Sequence, residues 1–271
     1  MVSNGVTVTD ESHGYFFVHI PKTAGTSFRR MLYQEFPSQA SYPTHDEIVE
    51  MGGLYPPQSE LKHVVSARRA ATTVLIGHYP INAGRLFYGK RPYKALTFVR
   101  EPVARAVSNL LHLQRHGAQF QHADHHTIID QAPHQLSNLQ VRFLSGVQGP
   151  LTERHVDAAK QNLSDMAFVG VTERFAQSLA RARADLGWAL TDEIETNVRP
   201  SDSPELGDDV VERLRHANLL DLELYAHACE RFDHRAESKQ SPVFKGAKKK
   251  QPARSRSVAA NRRQRFFDRW I

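Results

Sequence analysis

Apolar positions along the 271 residues alternate between short continuous runs and longer stripes at helical spacing. Tyr15–Ile20, Thr73–Gly77, Ala95–Val99 and Ala167–Thr172 are brief runs rich in Val, Ile, Leu and Phe, apolar on both faces. That pattern suits strands buried within a parallel sheet. Between them the period shifts to that of helices. Thr26–Phe36 carries Phe28, Met31, Leu32 and Phe36, and a helix opened by Pro102 buries Val103, Val107, Leu110 and Leu111. Further helices are predicted over Leu61–Ala71, Ser137–Gly146, Thr152–Ser164 with Thr152 as N-cap, Glu173–Trp188, Val210–His216 and Leu219–Phe232. Residues 37–57 read as loop with one helical turn near Glu47–Met51, and Thr191–Asp209 as loop. Strands alternating with helices predict an α/β fold, a mainly parallel sheet flanked by helices. It is expected to form one domain over residues 14–235, between a flexible lead-in (1–13) and a disordered tail (236–271).

Candidate chemistry gathers where strands end. After the first strand comes Pro21-Lys22-Thr23-Ala24-Gly25-Thr26-Ser27, and then a helix. Small residues let backbone N–H groups turn inward at a helix start, beside the cation of Lys22 and three hydroxyls. This makes a strand–loop–helix cradle for a phosphate-like anion. The Walker A spacing GxxxxGK[ST] is absent, and the lysine precedes the glycine. His78 sits at the end of the second predicted strand, where open α/β sheets collect their chemistry. Its neutral imidazole titrates in the range of a general base. Arg100 closes the third strand, and Ser108 follows two turns into the next helix. A guanidinium and a hydroxyl so placed suit a second phosphate.

HIPKTAGTS (His19–Ser27) closely resembles the HIPKTGGTS signature of the PAPS-dependent sulfotransferases. It is nearest to the carbohydrate branch that includes heparan sulfate 2-O-sulfotransferases and their bacterial relatives. Ala24 replaces a frequent glycine, a change of little cost unless that position needs positive φ. Arg100-Glu101-Pro102-Val103-Ala104-Arg105-Ala106-Val107-Ser108 matches the second motif of that family, R-x-P-x-x-R-x-x-S. The resemblance implies a nucleotide-kinase-like fold and transfer of a sulfuryl group from PAPS to a hydroxyl, on a carbohydrate, with PAP as product. It implies that Lys22, Thr23, Ala24, Gly25, Thr26 and Ser27 hold the 5′-phosphosulfate, and Arg100 and Ser108 the 3′-phosphate. The Gly77-His78-Tyr79-Pro80 stretch resembles the segment that carries the catalytic base, making Lys22 and His78 the catalytic pair. Asn197-Val198-Arg199 resembles a segment that closes over the nucleotide, and Asn138, Gln140 and Arg142 match an N-L-Q-x-R-x-L element near the active centre. No metal is implied.

The charge distribution separates the tail from the domain. Lys and Arg total 35 against 29 Asp and Glu, yet residues 245–271 alone hold ten basic side chains and one acid, Asp268. The rest is mildly acidic, so the basic balance belongs to a tail suited to polyanions. The single Cys229 fits a reducing compartment, and no apolar run approaches the ~20 residues of a membrane span; cytoplasm is the expectation. Six histidines lie between His112 and His134, and His112/His116 have i, i+4 spacing, but no recurring carboxylate or cysteine partners them. A polar loop over the acceptor cleft is expected there. The rivals are a nucleotide-dependent kinase of related fold and an inactive domain that binds nucleic acid or another polyanion through the tail.

Overall fold

A computed structural model describes residues 13–190 and 206–240, with side chains through 234. The lead-in (1–13) lies outside them except for His13; the tail beyond Gln240 and the Asn197–Arg199 segment lie outside entirely.

The chain runs β1 (Gly14–Val18), α1 (Gly25–Glu35), β2 (Ser41–Tyr42), α2 (His45–Glu50), α3 (Ser66–Ala71), β3 (Val74–Gly77), α4 (Ala83–Tyr88), β4 (Tyr93–Val99) and α5 (Pro102–His116). It continues through α6 (His125–Gln131), α7 (Pro133–Leu136), α8 (Leu139–Ser145), α9 (Glu153–Asp165), β5 (Phe168–Val171), α10 (Phe175–Leu186), α11 (Asp208–Ala217) and α12 (Leu219–Gln240). The five strands form one sheet in the order β2-β3-β1-β4-β5, every pairing parallel. This is the predicted nucleotide-kinase-like arrangement. From β1 the chain goes out to the edge strand β2, returns inward to β3, then crosses to the other side of β1 for β4 and β5. The switch of direction lies at β1, and ligands bind outside the carboxyl ends of strands at such a point.

Successive β1 side chains feed two separate cores. Phe16 and Val18 pack with Leu75, Val141, Leu144, Leu163 and Leu224 on one face. Tyr15 and Phe17 pack with Phe28, Leu32, Phe98 and Trp188 on the other. Each fully buried Phe or Leu contributes about 1.5–3 kcal/mol of apolar transfer energy. This double burial explains why the strands read as continuous apolar runs.

Two expectations are corrected. Leu61–Ala71 is not one helix but a 3₁₀ segment (Gln58–His63) followed by α3, because the β-branched pair Val64–Val65 stays extended between them. The segment 114–134 is not a loop. It contains α6 and α7, whose Ile128, Ile129 and Leu136 join Phe120, Leu110 and Leu214 in a third core. Polar pairs tie α6 to α11 beside that packing: His126 Nε2 pairs with Asp209 at 2.8 Å, and Asp130 pairs with Arg213. The short β2 and α4 also went unforeseen. Two residues of strand carry no period, and α4 is a single turn and a half.

Candidate active site

Pro21 ends the run of β1, and the next residues cannot continue as strand. Lys22 and Ala24 both adopt positive φ, 69° and 62°, turning the backbone sharply before α1 begins at Gly25. Ala24 therefore stands where glycine would be unstrained, and an L-residue there costs about 1–2 kcal/mol. Strain held at a loop that nothing else requires is a mark of function. The first-turn N–H groups at Gly25, Thr26 and Ser27 have no intrahelical partner and open into a cleft of about 300 Å³. Lys22, Ala24, Gly25, Thr26, Ser27, Arg100, Ser108 and His19 line that cleft together with Thr172 and Phe175. Thr23 differs from its neighbours. It is fully buried, and its hydroxyl donates to the Ile20 carbonyl at 2.9 Å, so its side chain holds the loop's shape.

The two sequence motifs meet physically. Arg100 Nη1 donates to the Lys22 carbonyl at 3.1 Å, joining the end of β4 to the β1–α1 loop. Gln140, buried in α8, fixes Arg100 from behind: its side chain accepts from the Arg100 N–H at 2.9 Å and donates to the Arg100 carbonyl at 2.8 Å. Gln140 is held in turn by Asp221, which accepts from the backbone N–H groups of Gln140 and Val141 at 3.0 and 2.8 Å. Asn138, at φ 46°, reaches the start of α12, where its side chain accepts from Leu220 and Asp221 N–H. The N-L-Q stretch is thus a brace behind the cleft. Arg142 turns away to donate to the Gly149 carbonyl at 2.8 Å. Arg105, fully buried, lies near Asp221, and burial lowers its pKa to about 10. Glu173 accepts from Glu101 N–H at 3.0 Å and from Tyr225 at 2.9 Å, 4.0 Å from Arg100 Nε.

Lys22 is half-buried, and burial followed by the nearby guanidiniums of Arg100 and Arg115 lowers its pKa. His112 lies in the same field, lowered by burial and then by Lys22. Ser108, His112 and Arg115 follow at i, i+4 and i+7, one face of α5. That spacing was legible in the sequence and brings the Arg115 guanidinium near enough to Lys22 to help lower its pKa. Among the described residues no cluster of three or more His, Cys, Asp or Glu side chains is placed to hold a metal ion.

His78 stands at the end of β3, beside the cleft wall formed by His19; the two rings lie 4.4 Å apart. Its Nδ1 is 2.7 Å from the His19 carbonyl, so Nδ1 must carry the hydrogen and Nε2 keeps its lone pair. Burial against His19 and Tyr55 lowers its pKa to about 4, with Arg29 and Lys22 adding to the effect against the His19 hydrogen bond. More than a third of the residue's surface still faces open space, so water offsets part of that depression. The direction keeps the ring neutral at neutral pH.

No protein-family model matches the chain. Among curated proteins it is similar to human heparan-sulfate 6-O-sulfotransferase 1, 25% identical over an alignment covering 83% of this chain and 66% of the relative. Human heparan-sulfate 6-O-sulfotransferase 2 is 25% identical, covering 65% and 36%. Zebrafish heparan-sulfate 6-O-sulfotransferase 3-B is 27% identical, covering 53% and 43%. The chain is thus similar to sulfotransferases named for a carbohydrate, heparan sulfate. These relatives are named for 6-O transfer, whereas the cradle motif resembles the branch that includes the 2-O enzymes. The chain spans from about a third to two thirds of the length of these relatives. Among solved structures it resembles a sulfotransferase from Alicyclobacillus acidocaldarius, with TM-score 0.45 and 19% identity, covering 82% of this chain and 96% of that one. A mouse sulfotransferase, SULT7A1, complexed with PAP, gives TM-score 0.38 and 15% identity over 76% and 63%.

Proposed function

We propose that this chain transfers the sulfuryl group of PAPS to a hydroxyl of a carbohydrate. One observation carries the reading: the β1–α1 cradle and the Arg100/Ser108 pair line one cleft and are tied by the Arg100 to Lys22 hydrogen bond. Two anion sites held at fixed separation suit a donor that bears phosphate at both its 5′ and 3′ ends. The first-turn N–H groups of α1, with Lys22, take the 5′-phosphosulfate, while Arg100 and Ser108 take the 3′-phosphate. Phe175 and Thr172 supply the wall on which the base rests. Arg199 is assigned no part, since it lies outside the described residues.

In the reaction, His78 Nε2 accepts the proton of the acceptor hydroxyl as that oxygen attacks sulfur. The new S–O bond forms in line with the bond to the 5′-phosphate. As the old bond breaks, its electron pair stays on the phosphate oxygen, where Lys22 and the N–H groups of Gly25, Thr26 and Ser27 meet the charge. Sulfuryl passes to the acceptor and PAP leaves. The cation and helix start are fixed in advance, which is the condition for such stabilisation to lower the barrier. Among the described residues no helix is long and apolar enough to cross a membrane, and the lone Cys229 supports placing the protein in the cytoplasm.

PAP binding tests the donor assignment. PAP is expected to raise Tm and to bind measurably by calorimetry. Arg100→Ala should weaken that binding by about 2–3 kcal/mol, the cost of leaving a phosphate without its guanidinium. Unchanged affinity in the variant would move the 3′-phosphate elsewhere. No shift with either PAP or PAPS would remove the sulfotransferase reading. Labelled PAPS screened against oligosaccharides would then identify the acceptor.

A further inference from the structure

His19 is the least explained residue of the cleft. It follows β1 directly, is buried to 4% exposure, and stacks on Phe17 at 5.4 Å, as a structural histidine would. Yet it also lines the cleft. Its Cδ2–Nε2 edge lies against the first residue of α1: a Cβ on Gly25 would come within 2.0 Å of Cδ2 and 2.2 Å of Nε2. Glycine is required there because the imidazole occupies the space, and its edge is turned to the mouth of the cradle.

The tautomer follows from the partners. His19 Nδ1 is 2.8 Å from the Tyr55 hydroxyl, and that hydroxyl accepts from Arg29 Nη1 at 3.3 Å. With the guanidinium donating to its oxygen, Tyr55 turns its single hydrogen toward Nδ1. His19 then carries its own hydrogen on Nε2, which makes no hydrogen bond among the described residues. Burial, followed by His78 and Arg29 beside it, disfavours a second proton. Two neighbouring imidazoles are thereby fixed in opposite tautomers. The His19 carbonyl holds His78 as an Nδ1–H ring with a basic Nε2, and Tyr55 holds His19 as an Nε2–H ring.

We propose that His19 is a catalytic hydrogen-bond donor, presenting Nε2–H to a sulfuryl oxygen of the donor beside Lys22, with Tyr55 setting its tautomer. This rests on the sulfotransferase reading and adds a role to it. The neighbouring base removes a proton from the acceptor, and His19, one ring away, meets negative charge on the group in transit. Because His19 stays neutral and its proton is not transferred, it cannot compete with His78 for the acceptor's hydrogen.

Nitrogen-15 imidazole spectra of the full chain test this without relying on turnover. The His19 ring is expected as Nε2–H and the His78 ring as Nδ1–H. Adding PAPS without acceptor should shift the His19 Nε2 resonance, and PAP, which lacks the sulfuryl group, should leave it in place. A His19 ring in the Nδ1–H form would overturn the proposal. So would an Nε2 resonance unmoved by PAPS when Tm shows that PAPS binds. If neither nucleotide changes Tm or any histidine resonance, the sulfotransferase reading fails and this inference with it. In kinetics, His19→Leu should lose about 10²–10³-fold in kcat, the usual effect of one lost oxyanion donor, with PAP affinity within about 3-fold. His19→Gln, which returns an N–H near the same place, should recover at least ~10-fold of that loss. Equal damage from both substitutions would make the role structural. Tyr55→Phe should leave the His19 spectrum as a mixture of tautomers, and a retained single Nε2–H form would show that Tyr55 does not set it.

Discussion

His78→Ala is expected to lower kcat by about 10³-fold or more while leaving PAP affinity within about 3-fold of the parent, since general bases contribute ~10²–10⁴-fold. The separation of the two effects is the point. His78 is absent from the lining of the donor cleft and stands behind His19, whose backbone carbonyl fixes its ring at 2.7 Å. The proposed donor site gives it no phosphate to hold, so binding of PAP should not notice its loss. Its Nε2 is the unprotonated nitrogen, with burial first and Arg29 and Lys22 after it biasing the ring against a second proton. The pH dependence follows by sign. A base whose pKa is lowered is already deprotonated at neutral pH, so kcat/KM should be flat there. It should fall with unit slope only as pH drops through the folded value, between the ordinary 6.5 and about 4. In His78→Ala that acid limb should vanish along with most of the rate. A PAP affinity lost in step with kcat would make His78 a donor-binding or structural residue instead.

The sheet was legible because its strands are buried on both faces. Continuous apolar runs at Tyr15–Ile20, Thr73–Gly77, Ala95–Val99 and Ala167–Thr172 each became a strand, shifted by no more than two residues at either end. The cradle and the Arg100/Ser108 pair were legible because residue type, order and spacing all bear on one geometry. What escaped notice depends on distant parts of the chain. Tyr55 comes from an irregular segment with no period, and only folding brings its hydroxyl to His19. Gln140 and Asp221 are 81 positions apart, yet together they brace Arg100. The His-rich stretch misled for a different reason: six polar rings mask Phe120, Ile128, Ile129 and Leu136, which are sparse in sequence but converge on α5. Ala24 shows the limit most plainly. Its positive φ, on which the significance of an alanine turned, is a property of the folded loop alone.

Lys22→Ala should cut turnover by about 10²–10⁴-fold, with PAP affinity falling only ~10-fold, the mark of a group that acts mainly as charge develops. The backbone at Lys22 is expected to survive the change. Alanine pays the same penalty as lysine at φ 69°, and the tie to Arg100 runs through the Lys22 carbonyl, not its side chain. Tm should therefore move by no more than a few degrees. What is lost is the ammonium of the cradle, half-buried and set near the guanidiniums of Arg100 and Arg115, with no carboxylate among the described residues that line the cleft. Such a group gains most when negative charge arrives, and the bridging oxygen of the donor gains its charge as the S–O bond breaks. Arg100→Ala provides the contrast, because its guanidinium is assigned to a phosphate whose charge does not change during transfer. It should damage binding more than kcat. If Lys22→Ala and Arg100→Ala lowered PAP affinity equally and left kcat alike, Lys22 would be a second phosphate clamp, and the charge on the leaving oxygen would have to be met by the α1 N–H groups alone.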